Sequence, residues 1–150
     1  MAFDLLIEKG TVVDGTGVAR FRADVGVSAG KIEAVGALAG SEAGRRIDAA
    51  GHIVAPGFID MHSHSDITLL DDPSGESKAY QGVTTEVVGN CSFSPFPTGK
   101  VTGAELRKDV DLGFSQSTLE WDWSDLDGWA GRLEANGISL NVAPQVGHSA

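Results

Sequence analysis

Gly51-His52-Ile53-Val54-Ala55-Pro56-Gly57-Phe58-Ile59-Asp60-Met61-His62-Ser63-His64 divides the sequence into two kinds of chain. From His52 to His62 the stretch is mostly apolar, as a strand covered on both faces of a parallel sheet reads. Pro56 has no N–H to give to a ladder, so it marks the strand's entry rather than its middle. Two similar runs follow, Val83-Thr84-Thr85-Glu86-Val87-Val88 and Ile138-Ser139-Leu140-Asn141-Val142-Ala143. Helical pattern lies between them. Leu126, Trp129, Ala130 and Leu133 fall at i, i+3, i+4 and i+7, one apolar stripe. Ser124 is the expected N-cap, with Asp127 in a weak capping box, and Asn136-Gly137 is the expected stop. A shorter helix is expected within 74–81. Residues 89–119, rich in Gly, Ser, Thr, Pro and Phe, read as a long loop with a helix around 103–111. Strands and helices alternating at this spacing predict parallel βα units.

Upstream of Gly51 the pattern is different. Leu5 to Glu8 is an apolar run, then come Gly10, a second run Thr11-Val12-Val13 and the turn pair Asp14-Gly15. Ala23 to Val27 alternates, turns through Ser28-Ala29-Gly30-Lys31 and returns as Ile32 to Val35, a hairpin signature. Arg46 to Ala49 reads as a further strand. No helix period occurs here, so residues 1–56 are expected to form a small β domain and 57–150 to begin a βα domain.

His62-Ser63-His64 carries the sharpest chemical signal. Side chains two apart on a strand share a face, so both imidazoles project together. Two neutral imidazoles converging in this way suit a divalent metal such as zinc. A bare H-x-H arises easily by chance. This pair ends an apolar strand, where unpartnered polar groups are costly, and that favours the metal. Asp60 and Asp66 share the parity, and a carboxylate there can fix the tautomer of a ligating ring. Cys91 ends the next strand, 27 residues after His64, about one βα unit. A thiolate is a strong zinc ligand, while an inert buried thiol is the commoner fate of a lone cysteine; position alone leaves the two readings balanced. For His148, which ends the third strand, ligand, substrate contact and surface histidine all stay open, with substrate contact ranked first. His52 is read as structural, and Trp121, Trp123 and Trp129 as packing residues.

Bulk composition narrows the classes. Among 150 residues, 41% are apolar and 21% charged, enough for a packed core and unlike a disordered tail. A net charge of −10 disfavours a nucleic-acid or anionic-membrane surface. One cysteine excludes an internal disulfide. The N-terminal run holds Asp4 and Glu8 and has no cleavage pattern of a signal peptide, and no stretch approaches the ~18 apolar residues of a membrane span. The expected location is the cytoplasm.

Taken together, Ala49 to Asp66 resembles the first barrel strand of the amidohydrolase superfamily. Gln81-Gly82-Val83-Thr84-Thr85-Glu86-Val87-Val88-Gly89-Asn90-Cys91-Ser92-Phe93-Ser94-Pro95 resembles the hallmark of its N-acyl-D-amino-acid deacylase (D-aminoacylase) branch. Asn141 to His148 is similar to the third strand of that branch. The resemblance implies a small β-sandwich domain, of which residues 1–56 are the N-terminal part, then a (β/α)₈ TIM-type barrel of which residues 57–150 are the first three βα units. It implies that His62, His64 and Cys91 hold one or two Zn²⁺ ions, with Cys91 in the place that a carboxylated lysine fills in other branches. Asp60, Asp66 and His148 would stand around that site or touch substrate. Ser92 stands where the family usually has glycine, and Phe96 where it has a smaller residue.

The reaction implied is metal-dependent hydrolysis of the amide bond of a small-molecule N-acyl-D-amino acid, with no nucleic-acid or membrane partner. The general-base aspartate belongs to the last barrel strand, expected beyond residue 150. A cyclic amidase of the same superfamily, related to dihydropyrimidinase or dihydroorotase, is the first alternative. A non-catalytic scaffold relative is the second. A (β/α)₈ barrel needs about 250 residues, and 94 follow Pro56, so the chain is expected to be part of a longer protein. Made alone, residues 1–150 should be inactive and should aggregate or stay partly folded, because three parallel strands leave an open edge. A monomer that unfolds cooperatively and hydrolyses N-acetyl-D-amino acids would count against this expectation.

Overall fold

The alternation in the first fifty residues folds, in the computed structural model, into one mixed sheet; the structure describes residues 2–98 and 119–148. The chain divides into two compact units, Met1–Pro56 and Gly57–Ala150. The first holds β1 (Ala2–Val12), β2 (Phe21–Ser28), β3 (Lys31–Gly36), β4 (Glu42–Asp48) and the short β5 (Ile53–Val54). Their order is β3-β2-β1-β4, with β5 also pairing β1. β1 runs antiparallel to β2, Leu5 opposite Val27, and parallel to β4, Ile7 opposite Ile47. Phe3, Leu6, Val12, Val25 and Ala49 are buried in this unit.

The two apolar runs flanking Gly10 are one strand, not two. A bulge between Ile7 and Gly10 interrupts the ladder to β2, and Lys9 there takes φ 63°. Its freed N–H donates to Asp24 Oδ1 at 2.8 Å, while Leu38 N–H donates to Asp24 Oδ2 at 2.9 Å. One carboxylate thus fastens the bulge to the end of β3. The hairpin reading holds, with Val25 opposite Val35, and its turn places Ala29 and Gly30 at positive φ, as a two-residue hairpin turn requires.

The second unit holds β6 (Phe58–Asp60), α1 (Thr68–Asp71), α2 (Glu76–Ala79), β7 (Val83–Val88), α3 (Leu126–Asn136) and β8 (Asn141–Pro144). The three strands form a parallel sheet in the order β6-β7-β8, with Asp60 opposite Glu86 and Thr85 opposite Asn141. Ile67, Leu69, Leu70, Val88, Phe96, Trp123, Trp129, Leu133 and Leu140 make its core. The tryptophans pack as expected: Trp129 donates its indole N–H to the Asp66 carbonyl at 3.0 Å, and Trp123 donates to the Pro95 carbonyl at 2.8 Å. Among the described residues no helix is long and apolar enough to cross a membrane.

Several expectations need correction here. Residues 52–62 are not one strand covered on both faces. The run is divided at Ala55-Pro56-Gly57 between β5 and β6, β6 is a sheet edge, and Phe58, Ile59 and Met61 are exposed. α3 is capped by Asp125, whose side chain accepts from Gly128 N–H. Ser124 instead gives its carbonyl to Thr98 N–H, and Leu126, the first residue of the stripe, is exposed. The third strand starts three residues late, because Ser139 N–H bonds to the Pro73 carbonyl rather than to β7. α1 was not foreseen. The helix expected around 103–111 lies outside the described residues.

The Asp24 clasp has a pH signature. The Lys9 N–H, and then the Leu38 N–H, hold its carboxyl below the ordinary 3.8. The ionised, bonded form therefore stabilises the fold fully above pH 3.8, and that contribution is lost as pH falls through the lowered value. In amide hydrogen exchange, Asp24→Ala should reduce protection at Lys9 and Leu38 by about tenfold at neutral pH, as losing bonds to a charged acceptor implies. Protection in the unaltered protein should fall towards that of the variant in strong acid.

Candidate metal centre

β6 stops at Asp60, and the chain bends at Met61-His62. Asp60 Oδ1 accepts from His62 N–H at 3.0 Å, so the carboxylate that ends the strand also shapes the bend. Ser63 is buried and donates its N–H to the Val87 carbonyl at 3.0 Å, so the segment stays fastened to β7. His62 and His64 flank this anchor. Their ring centroids are 5.4 Å apart with planes at 62°.

The other side of the site comes from the end of β7. Gly89 lies so close to Gln145 that a Cβ would stand 2.2 Å from its carbonyl oxygen, and a Cβ on Gly147 would stand 2.4 Å from the Ser92 carbonyl oxygen. These two close approaches draw the loops after β7 and β8 together. Asn90 donates its side-chain amide to the carbonyls of Val87 (2.8 Å) and Ser63 (3.1 Å), joining this loop to the histidine segment. Cys91 and Ser92 then take φ 55° and 70° in succession. The Cys91 thiol ends 3.2 Å from His62 Nε2.

His62, His64 and Cys91 each bring a ligand atom within 4.8 Å of the others. His62 and Cys91 are exposed and His64 is half-buried, so the inert buried thiol is not what the structure places here. Burial, and secondarily the charge of His62, lower the His64 imidazole below its ordinary 6.5, which favours the neutral ring that a metal needs. Two imidazoles and a thiol form a donor set suited to zinc.

The other sequence-predicted residues lie differently. Asp60 binds the backbone of His62, not its ring, and forms an ion pair with Lys78. The Lys78 bond, followed by the His62 N–H, holds its carboxyl below the usual range. Asp66 is buried, and burial pushes its carboxyl up to about 6, with the charge of Glu86 adding to this. β6 ends before reaching it, so strand parity does not extend to Asp66. His148 is exposed beside Gly147 and outside the three-residue cluster. His52 closes a turn in the first unit through its ring and the Ala50 carbonyl.

Sequence reasoning missed Asn90, Lys78 and Glu86 as parts of this neighbourhood. Glu86 carried a legible signal, a carboxylate inside a valine-rich strand; it is fully buried.

Residues 45–130, more than half of the chain, match the profile of the amidohydrolase family. The chain belongs to the amidohydrolase family. Among characterised members it is 43% identical to the N-acyl-D-glutamate deacylase of Alcaligenes xylosoxydans xylosoxydans, across 97% of this chain and 29% of that protein. It is 39% identical to the D-aminoacylase of the same organism, across 98% of this chain and 29% of that protein. The crystal structure of N-acyl-D-glutamate deacylase from Bordetella bronchiseptica, complexed with zinc and a phosphonate mimic of the tetrahedral intermediate, superposes with a TM-score of 0.82. It is 41% identical, and the match covers 99% of this chain and 30% of that one. The chain therefore spans about three-tenths of the length of these amidohydrolases.

The Cys91-Ser92 turn is the strained part of the site. A non-glycine residue in the left-handed region costs roughly 1 kcal/mol, and Ser92 takes φ 70° there. Ser92→Gly should raise the unfolding free energy by up to about 1 kcal/mol in thermal or urea unfolding, and the β-branched Ser92→Val should lower it.

Proposed function

We propose that this chain is the first part of a zinc-dependent amidohydrolase that cleaves the amide bond of small-molecule N-acyl-D-amino acids, releasing a D-amino acid and a carboxylate. The observation that carries the reading is the convergence of His62, His64 and Cys91, whose ligand atoms all lie within 4.8 Å. Ligands of one tetrahedral zinc stand about 3.3–3.7 Å from each other. The 3.2 Å between His62 Nε2 and Cys91 Sγ is already close to that spacing, so small side-chain rotations complete the fit. The kinship with N-acyl-D-glutamate deacylase and D-aminoacylase supports the substrate class.

In this reading His62, His64 and Cys91 are the ligands, and one or two zinc ions bind. When bound, zinc supplies Lewis acidity, an activated water near neutral pH and a polarised amide carbonyl. His64 enters as the neutral imidazole its surroundings favour. Asp60 holds the backbone of His62. Asp66, which is buried, and His148, on the loop after β8, are the residues of this chain assigned to support and substrate contact. The general base is an aspartate expected on the last barrel strand.

The same proposal extends to architecture. Residues 1–56 are the N-terminal part of a small β-sandwich domain, and residues 57–150 are the first three βα units of a (β/α)₈ barrel. Exposed Phe58 and Ile59 on the edge strand β6, and Met61 just after it, fit this, since the two faces of a closed barrel's strands are covered by its interior side chains and its outer helices. The protein is assigned to the cytoplasm, without nucleic-acid or membrane partners.

The test uses the full-length protein. Cys91→Ala should lower zinc affinity by more than the roughly 10–100-fold that losing a ligand's hydrogen-bond partner costs, and N-acetyl-D-amino-acid hydrolysis should fall with it. Unchanged zinc content would make Cys91 a bystander thiol. Hydrolysis of hydantoins or dihydropyrimidines, with no deacylation, would transfer the protein to the cyclic amidases.

A further inference from the structure

We infer that Lys78 is a positioning residue for the His62 ligand, acting through Asp60; the inference rests on the metal-site reading above. Asp60 and Glu86 are register partners on adjacent parallel strands, so two carboxylates stand side by side. The Glu86 side chain is 0% exposed and that of Asp60 26%. Like charges opposite each other on a sheet repel, and a carboxylate withdrawn from water needs a countercharge. Lys78, the third residue of α2, meets both. Its Nζ bonds to Asp60 Oδ2 and stands 3.4 Å from Glu86 Oε1. No hydrogen bond from the described residues reaches either Glu86 oxygen, so this ion pair is the compensation Glu86 has there.

One cation therefore holds two carboxylates that would otherwise repel, and it fixes where Asp60 points. The second Asp60 oxygen then accepts the His62 N–H at 3.0 Å. That bond spans two residues and sets the bend after β6, from which the His62 ring reaches to 3.2 Å from Cys91 Sγ. The link runs Glu86, Lys78, Asp60, His62 backbone, His62 ring. The Lys78 ammonium is raised above its ordinary range, chiefly by the Asp60 bond, in keeping with a shared ionic contact. Without Lys78, Asp60 Oδ2 loses its bonded partner, the carboxylate is free to turn to water whether or not Glu86 is charged, and the His62 amide loses its acceptor. A ligand whose orientation is no longer fixed binds metal less tightly even though every donor atom is still present.

A cation that only neutralises Glu86 would give a different result, and a double variant separates the two roles. Lys78→Met alone leaves Glu86 buried and uncompensated. Lys78→Met with Glu86→Gln removes that buried charge together with its cation, and leaves Asp60 without its partner. Full-length protein, stripped of metal, is titrated with Zn²⁺ against a chromophoric chelator and with Co²⁺ by its thiolate charge-transfer and d–d bands. The double variant should unfold near the parent temperature, bind Zn²⁺ about 10–100-fold more weakly and show displaced Co²⁺ bands. Glu86→Gln alone, which keeps the Lys78–Asp60 bond, should bind both metals as the parent does, and Lys78→Arg should recover most of the affinity. A folded double variant with parental affinity and spectrum overturns the inference. So does Glu86→Gln binding as weakly as the double variant, and so does a double variant that does not fold, which would make Lys78 a purely structural cation. If instead the parent shows no thiolate band and Cys91→Ala leaves its metal binding unchanged, the metal-site reading itself has failed.

Discussion

Where β6 ends, three hydrogen bonds take over from the strand ladder. Ser63 N–H reaches the Val87 carbonyl, and the Asn90 side chain spans the carbonyls of Ser63 and Val87. They fasten a non-repetitive segment to the end of its neighbouring strand, and they do so on both sides of the residue that separates the two histidines. Everything distinctive about the site follows from this. His62 and His64 point away from the anchored Ser63, and the loop that supplies Asn90 supplies Cys91 one residue later. A side-chain amide is well suited to the task, since its two N–H groups reach the Ser63 carbonyl and, beside the Ser63 N–H, the Val87 carbonyl.

Much of this was legible in the sequence where local pattern and tertiary context agree. The valine-rich β7 and the β2–β3 hairpin follow from runs whose turns and periods point one way. The convergence of His62 with His64 was anticipated from strand parity, although the histidines lie past the strand's last residue; Ser63, anchored to β7, preserves the alternation. The illegible parts share another character. The β1 bulge depends on Asp24, fifteen residues away, and the delayed start of β8 on the Pro73 carbonyl. The N-cap of α3 was misplaced because Ser124 and Asp125 are both good caps, and a tertiary bond from Thr98 to the Ser124 carbonyl accompanies the use of Asp125. Lys78 went unnoticed because its significance lies in two carboxylates on two strands, which no linear spacing reveals.

Burial in the second unit is lopsided. Trp129, Phe96, Val88 and Leu133 pack among the least exposed side chains, with the Phe96 and Trp129 rings 5.0 Å apart. Phe58 and Ile59 on the edge strand, and Met61 just after it, meet solvent. Phe96 fills space in the core against Trp129. Its bulk is absorbed by the core, whereas Ser92 at φ 70° belongs to the backbone turn that carries the thiol.

The pairing of β1 also orders events in time. Its antiparallel partner β2 follows closely and closes its own hairpin with β3, a local contact that forms on the microsecond scale. Its parallel partners β4 and β5 come much later in the chain, with Ile7 opposite Ile47 and Val12 opposite Val54. At synthesis rates of about 5–20 residues per second, one edge of β1 waits seconds for strands not yet made. During that interval Lys9 and Glu8, which later meet Asp48 and Arg46 in ion pairs, place charge along the waiting edge. Charges on an unpaired edge discourage pairing with another nascent chain, so the same residues serve the strand before its partners arrive and after.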